Sequence, residues 1–111
     1  MMNWRFQVLP EVLVVRIFGI IDQEIGSMFE KTTERAVYLG SRKVLIDFSD
    51  MESVDPLGVV LCGFGLHHFQ ELGIPVALIR PPSSLLPVLQ SHGLQSIPPV
   101  FLLVQDAHQL N

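Results

Sequence analysis

Residues 43–66 read KVLIDFSDMESVDPLGVVLCGFGL, and the fold follows from how this stretch changes character along its length. Val44, Leu45 and Ile46 form a short apolar run that leads into Asp47, the pattern of a buried strand near its end. Ser49, Asp50, Glu52, Ser53 and Asp55 then make a polar, mostly acidic stretch that reads as an exposed loop. Leu57, Val59, Val60, Leu61, Phe64 and Leu66 come next as a helix that is apolar on more than one side. Asp55 suits the N-cap, because its carboxylate can accept a backbone N–H that the helix leaves unpaired. Pro56 suits the first helical position, where a missing N–H costs nothing and the ring already holds a helical φ. The unit is strand, exposed loop and capped helix.

Upstream, Trp4–Leu9 reads as a short strand and Pro10–Glu11 as a turn. Val12–Ile21 is rich in β-branched residues and too continuously apolar for a half-exposed strand, so it reads as central and covered on both faces. Gly19 marks a bulge or a close backbone approach within it, and Asp22 ends it and caps the segment after it. From Gln23 to Leu39, the residues Ile25, Met28, Phe29, Thr32, Ala36 and Leu39 recur at helical spacing, with Gly40 as the stop.

Downstream, the second helix runs to about Leu72 and ends at Gly73. Gly63 and Gly65 inside it cost roughly 1 kcal/mol each against Ala, which points to close packing against the sheet. Ile74–Ile79 reads as a buried strand stopped by Arg80-Pro81-Pro82. A short helix through Leu85, Leu86, Val88 and Leu89 comes after it, capped by Ser83 or Ser84 and closed by Gly93, with Pro87 in its first turn. Val100–Val104 reads as a last strand and Gln105–Asn111 as a short terminal helix. Alternation at this spacing predicts an α/β fold with parallel later strands and right-handed crossovers. The loops leaving the strands' carboxyl ends then gather at one edge, with Asp22, the Ser49–Pro56 segment and Arg80 as neighbours.

Composition limits the function classes. The 111 residues suit a single domain spanning 1–111, and with 49% hydrophobic and 16% charged residues the chain is globular. A net charge of −4 with scattered Lys and Arg argues against nucleic acid as a partner. Arg5, Pro10, Glu11 and Arg16 interrupt the apolar N-terminal region well short of a membrane span, so no membrane insertion is expected. Cys62 is the single cysteine, which excludes a disulfide framework within the chain and makes a reducing, cytoplasmic setting the default.

Little in the sequence speaks for an enzyme. Asp50, Glu52 and Asp55 could offer oxygen ligands to a metal, yet their spacing matches no calcium loop, and a solvated turn with a helix cap accounts for them. His67 and His68 are adjacent and so point about 100° apart on a helix, unable to share one ion. Ser83, His92 and Asp106 make a triad only on paper, since no tight elbow presents the serine. Gly63 and Gly65 form a GxG within a helix rather than before one, and no phosphate-cradling loop occurs. No cofactor, metal or catalytic residue is assigned.

Three segments together resemble the STAS domain, the domain of bacterial anti-sigma factor antagonists that is also found on sulfate-transporter-like proteins. They are G-x-x-D at Gly19–Asp22, the run VLIDFSDMESVDPLG, and LPVLQSHGL at Leu86–Leu94. The resemblance spans Val12 to His108. It implies a small mixed, mostly parallel sheet built from consecutive β-α units with an antiparallel first strand. It also implies a role in binding a protein partner, an anti-sigma factor that is also a serine kinase, or a stressosome-like scaffold. In the antagonists, the segment matching Val54–Gly58 carries a hydroxyl residue directly after the Asp, and the kinase phosphorylates it. Pro56 stands at that position here and Leu57 replaces the next hydroxyl residue, while Asp22, Asp55 and Gly58 match. Proline has no oxygen to phosphorylate. The resemblance thus implies an interaction module without the usual switch, docking through Asp22, Met51, Ser53, Asp55, Pro56, Leu57, Gly58 and Arg80. A homo-oligomer is compatible with such a module, and Ser53 is the nearest alternative phosphate acceptor. A small-molecule domain for a nucleotide or lipid, or an accessory subunit of a lipid-transport ATPase, are the other roles the resemblance implies.

Overall fold

In a computed structural model, which describes residues 1–91, 93, 94 and 97–109, five strands form one sheet in the order β1-β2-β3-β4-β5. The elements are β1 (Met2–Leu9), β2 (Val12–Ile21), α1 (Ile25–Leu39), β3 (Lys43–Val54), α2 (Pro56–Glu71), β4 (Val76–Ile79), α3 (Leu85–Ser91), β5 (Val100–Phe101) and α4 (Val104–Gln109). β1 runs antiparallel to β2, and β2 through β5 are parallel. Strand order that follows chain order, with right-handed crossovers, puts α1, α2 and α3 on the same face. Their buried residues, among them Met28, Phe29, Leu66, Phe69, Leu85 and Leu89, pack with Leu13, Val15, Ile17, Val44, Ile46 and Leu78. The alternate residues Val12, Val14, Leu45, Ala77 and Ile79 meet Ala107 and Val104 of α4 on the other face. β2 is therefore covered on both faces, as its continuous apolar run implies.

Glycines end the first two helices. Gly40 has φ of 64°, and the Ser41 N–H reaches back to the Ala36 carbonyl at 2.9 Å. Gly73, with φ of 73°, does the same for α2 through the Ile74 N–H and the Phe69 carbonyl, also at 2.9 Å. In each case the left-handed residue lets the next N–H satisfy a carbonyl that the last turn leaves open. α1 and α2 lock together through an edge-to-face contact of Phe29 and Phe69, with centroids 5.3 Å apart.

The structure corrects the sequence reading in several places. The acidic stretch from Ser49 to Ser53 is not a loop: β3 continues through it to Val54, paired with β2. Its partner register shifts between Arg16 and Phe18 and again between Gly19 and Ile20, so β3 carries one extra residue at each place. Such bulges bend the strand and raise its twist. β4 pairs with β3 only as far as Asp47, so beyond that point β3 is an edge, and an edge strand tolerates polar side chains. That is why the segment reads as loop by composition.

Val60, read as part of a helix apolar on more than one side, is 37% exposed. Gly65 packs against α1 rather than the sheet, since a Cβ there would lie 2.4 Å from the Phe29 ring. β5 is only two residues long, and α4 begins at Val104 where the sequence reads as strand. Gly19, in contrast, serves the expected purpose: its φ is 80°, and a Cβ would sit 2.2 Å from the Met1 carbonyl oxygen.

Candidate functional site

Two strand exits meet two helix starts at one corner of the sheet. The Asp55 N–H donates to the Ile21 carbonyl at 2.8 Å, which ties the end of β3 to the end of β2. Asp55 then takes extended backbone angles (φ −85°, ψ 138°), and its Oδ1 accepts the Leu57 N–H at 2.9 Å. This is an N-cap with proline in the first helical position. Asp22 acts one strand over: its Oδ1 accepts the Glu24 N–H at 2.9 Å, while its carbonyl accepts the Ile25 N–H at 3.1 Å and closes the turn into α1. Glu24 rather than Asp22 occupies the cap position of α1.

Gly58 holds the corner together. An added Cβ would stand 2.5 Å from the Ile21 carbonyl oxygen and 3.0 Å from the Asp22 Cα. Only glycine lets the first turn of α2 rest on the backbone at the end of β2. Gly58 is accordingly buried, and it shapes the corner from beneath rather than offering a contact surface. Ser53, Asp55, Pro56 and Leu57 are exposed; Met51 is half-buried and packs against the helix-side core. Leu57 leaves 51% of its surface open.

Arg80 does not join this corner. It follows Ile79, which pairs with Asp47, and β3 runs on for seven more residues to Val54. At about 3.3 Å per residue, less the two bulge residues, Arg80 stands roughly 17 Å short of Asp55 along the strands. It lies instead beside a shallow depression lined by Arg16, Asp47, Ser49, Asp50 and Gln105. There Asp47 is 4% exposed and pairs with Arg16 (Nε–Oδ2 3.3 Å). Its Oδ1 also accepts the Ser49 N–H at 2.9 Å and the Ser49 hydroxyl. The buried carboxylate is thus fully partnered, as burial of a charge requires. The Arg80 Nε donates to the Leu102 carbonyl at 3.0 Å. Sequence reading missed Asp47 as the anchor of this cluster, though a carboxylate ending an apolar strand was its visible signal.

A family model for the STAS domain matches residues 3–107. The chain belongs to the STAS domain family. Solved structures agree with this STAS domain over nearly its whole length. SpoIIAA in its unphosphorylated form shares 18% identity with a TM-score of 0.67, covering 96% of this chain and 94% of its own. The phosphorylated form of the Bacillus SpoIIAA gives 19%, 0.67, 96% and 96%. A Thermotoga maritima protein described as a candidate anti-sigma factor antagonist gives 20%, 0.70, 96% and 92%. No curated protein matches the sequence.

Burial pushes the Cys62 thiol from its ordinary 9.0 up to about 12, so it stays protonated and unreactive. His67 pairs with Glu71 one turn on, Nδ1 to Oε1 at 3.3 Å. His92 of the paper triad lies outside the described residues. Among the described residues no cluster of His, Cys, Asp and Glu could hold a metal ion, and no helix is long and apolar enough to cross a membrane.

Proposed function

We propose that this STAS domain is a non-enzymatic docking module that binds a signalling protein, a serine kinase of the anti-sigma type or a stressosome-like scaffold, at the corner formed by Asp22, Ser53, Asp55, Pro56 and Leu57. The observation that carries the reading is Leu57. It holds an apolar side chain, 51% exposed, on a helix start that two strand ends and a cap make rigid. An exposed apolar group beside polar ones is what a contact surface offers. Support also comes from the fold: the solved relatives include anti-sigma factor antagonists, one of them solved both with and without phosphate.

The same corner sets this domain apart in how it is controlled. Pro56 gives a kinase no hydroxyl at the first helical position, so phosphate at the helix start does not govern docking. A phosphate on Ser53 would meet Glu52 and Asp55, a like-charge setting that opposes it. The test incubates the native chain and Pro56→Ser with an anti-sigma-type kinase and ATP, then maps phosphate by mass spectrometry. The native chain is expected to stay unmodified and Pro56→Ser to take phosphate at residue 56. Stoichiometric phosphate on Ser53 of the native chain would overturn the reading.

A further inference from the structure

α2 is apolar beyond what its own core contacts use. Val60 is 37% and Phe64 59% exposed, and with Leu57 they follow the i, i+3, i+7 spacing of one helical stripe. Beside Phe64 runs a groove of about 450 Å³ between α1 and α2, lined by Phe29, Glu30, Glu34, Leu61 and His68. Gly65 makes the groove possible, because the missing side chain lets the two helices close onto the Phe29 ring. The rim is one-sided in charge. Glu30 and Glu34, one turn apart on α1, edge the groove, and neither Lys nor Arg lines it. Lys31 and Arg35 lie on the β1 side of α1, which Glu34 also borders, and the Arg35 guanidinium covers Phe6 there at 5.1 Å.

We infer that this groove receives a basic amphipathic helix of the partner protein, its apolar stripe laid along Leu61 and Phe64 and its Lys or Arg residues set against Glu30 and Glu34. The inference rests on the docking role proposed above and extends it from the helix start along α2. Two features select this occupant. The stripe from Leu57 to Phe64 is about 10 Å long at 1.5 Å per residue, the footprint of two turns of an apposed helix. The acidic rim calls for a cationic partner, which a helix flanked by Lys or Arg supplies, and an anionic lipid surface would be repelled.

The probe is a fluorescein-labelled synthetic helical peptide with Leu at i, i+3, i+4 and i+7 and Lys on both flanks, with a twin carrying Glu in place of Lys. Anisotropy with the full chain should show saturable binding of the Lys peptide and none of the Glu twin, with amide shift changes confined to α1 and α2. Phe64→Ala should weaken binding about 30-fold, the scale for a central aromatic anchor. Glu30→Lys with Glu34→Lys should reverse the preference towards the Glu twin. No binding of the Lys peptide, binding indifferent to these variants, shifts that map elsewhere, a dimer lost on Phe64→Ala, or association with phosphatidylglycerol vesicles would each overturn the inference. Pull-downs with Leu57→Glu and Phe64→Glu keep the two readings apart. A cellular partner lost by Leu57→Glu but kept by Phe64→Glu sinks the groove and leaves the corner standing. A native chain that captures no protein sinks the corner, and the peptide then decides the groove alone.

Discussion

Asp55 and Gly58 do different work three residues apart. The Asp55 carboxylate satisfies one N–H of the first turn of α2, so Asp55→Ala is expected to lose about 0.5–2 kcal/mol, read as a lower urea midpoint with an unchanged slope. Gly58→Ala faces a backbone oxygen at 2.5 Å rather than a side chain that can move aside. It should cost about 1–3 kcal/mol although alanine is the better helix former, a reversal of propensity that thermal melts would show. Pro56→Ser should leave the melting temperature nearly unchanged, because serine is acceptable in a first helical turn; a large loss would mean that the proline ring itself holds the corner.

At the scale of elements, β3 and α2 carry the fold and the corner together. Leu45 is fully buried beneath α4, in the part of β3 that pairs on both sides. Leu45→Ala should cost about 2–5 kcal/mol through lost transfer energy and the cavity left behind. Val60→Ala, in the exposed stripe of α2, should cost well under that, within about 1 kcal/mol, and the contrast in denaturant titrations separates core from surface on adjoining elements.

For the molecule as a whole, Cys62 reports on global opening. Its pKa is raised from 9.0 to about 12 by burial, so the folded state favours the neutral thiol. Below pH 9 both states hold the proton and the contribution to stability is whole. As pH rises from 9 towards 12 the unfolded chain releases the proton first, and stability falls. Cys62→Ala should flatten that decline in alkaline denaturation profiles, whatever it does to stability at neutral pH. Native thiol modification at pH 8 should proceed only as fast as the chain opens, and reaction at the rate of free cysteine would contradict the buried placement.

The sequence by itself determined the local grammar: the limits of β2, the stops at Gly40 and Gly73, the cap at Asp55 with Pro56 behind it, and the α/β alternation that brings Asp22 beside Asp55. Each of these depends on a residue's own backbone preferences or on periodic patterning over a few turns, which neighbours in the chain suffice to express. Tertiary structure decided the rest. The acidic segment became strand because β2 offered it a pairing edge, and composition carries no record of a partner strand. That extension in turn left Arg80 at the level of Asp47, away from the corner where the strand ends alone would place it. Val60 and Phe64 face outward although α2 is apolar all round: periodicity named no inward face, and only the packing of α1 and the sheet against it chose one.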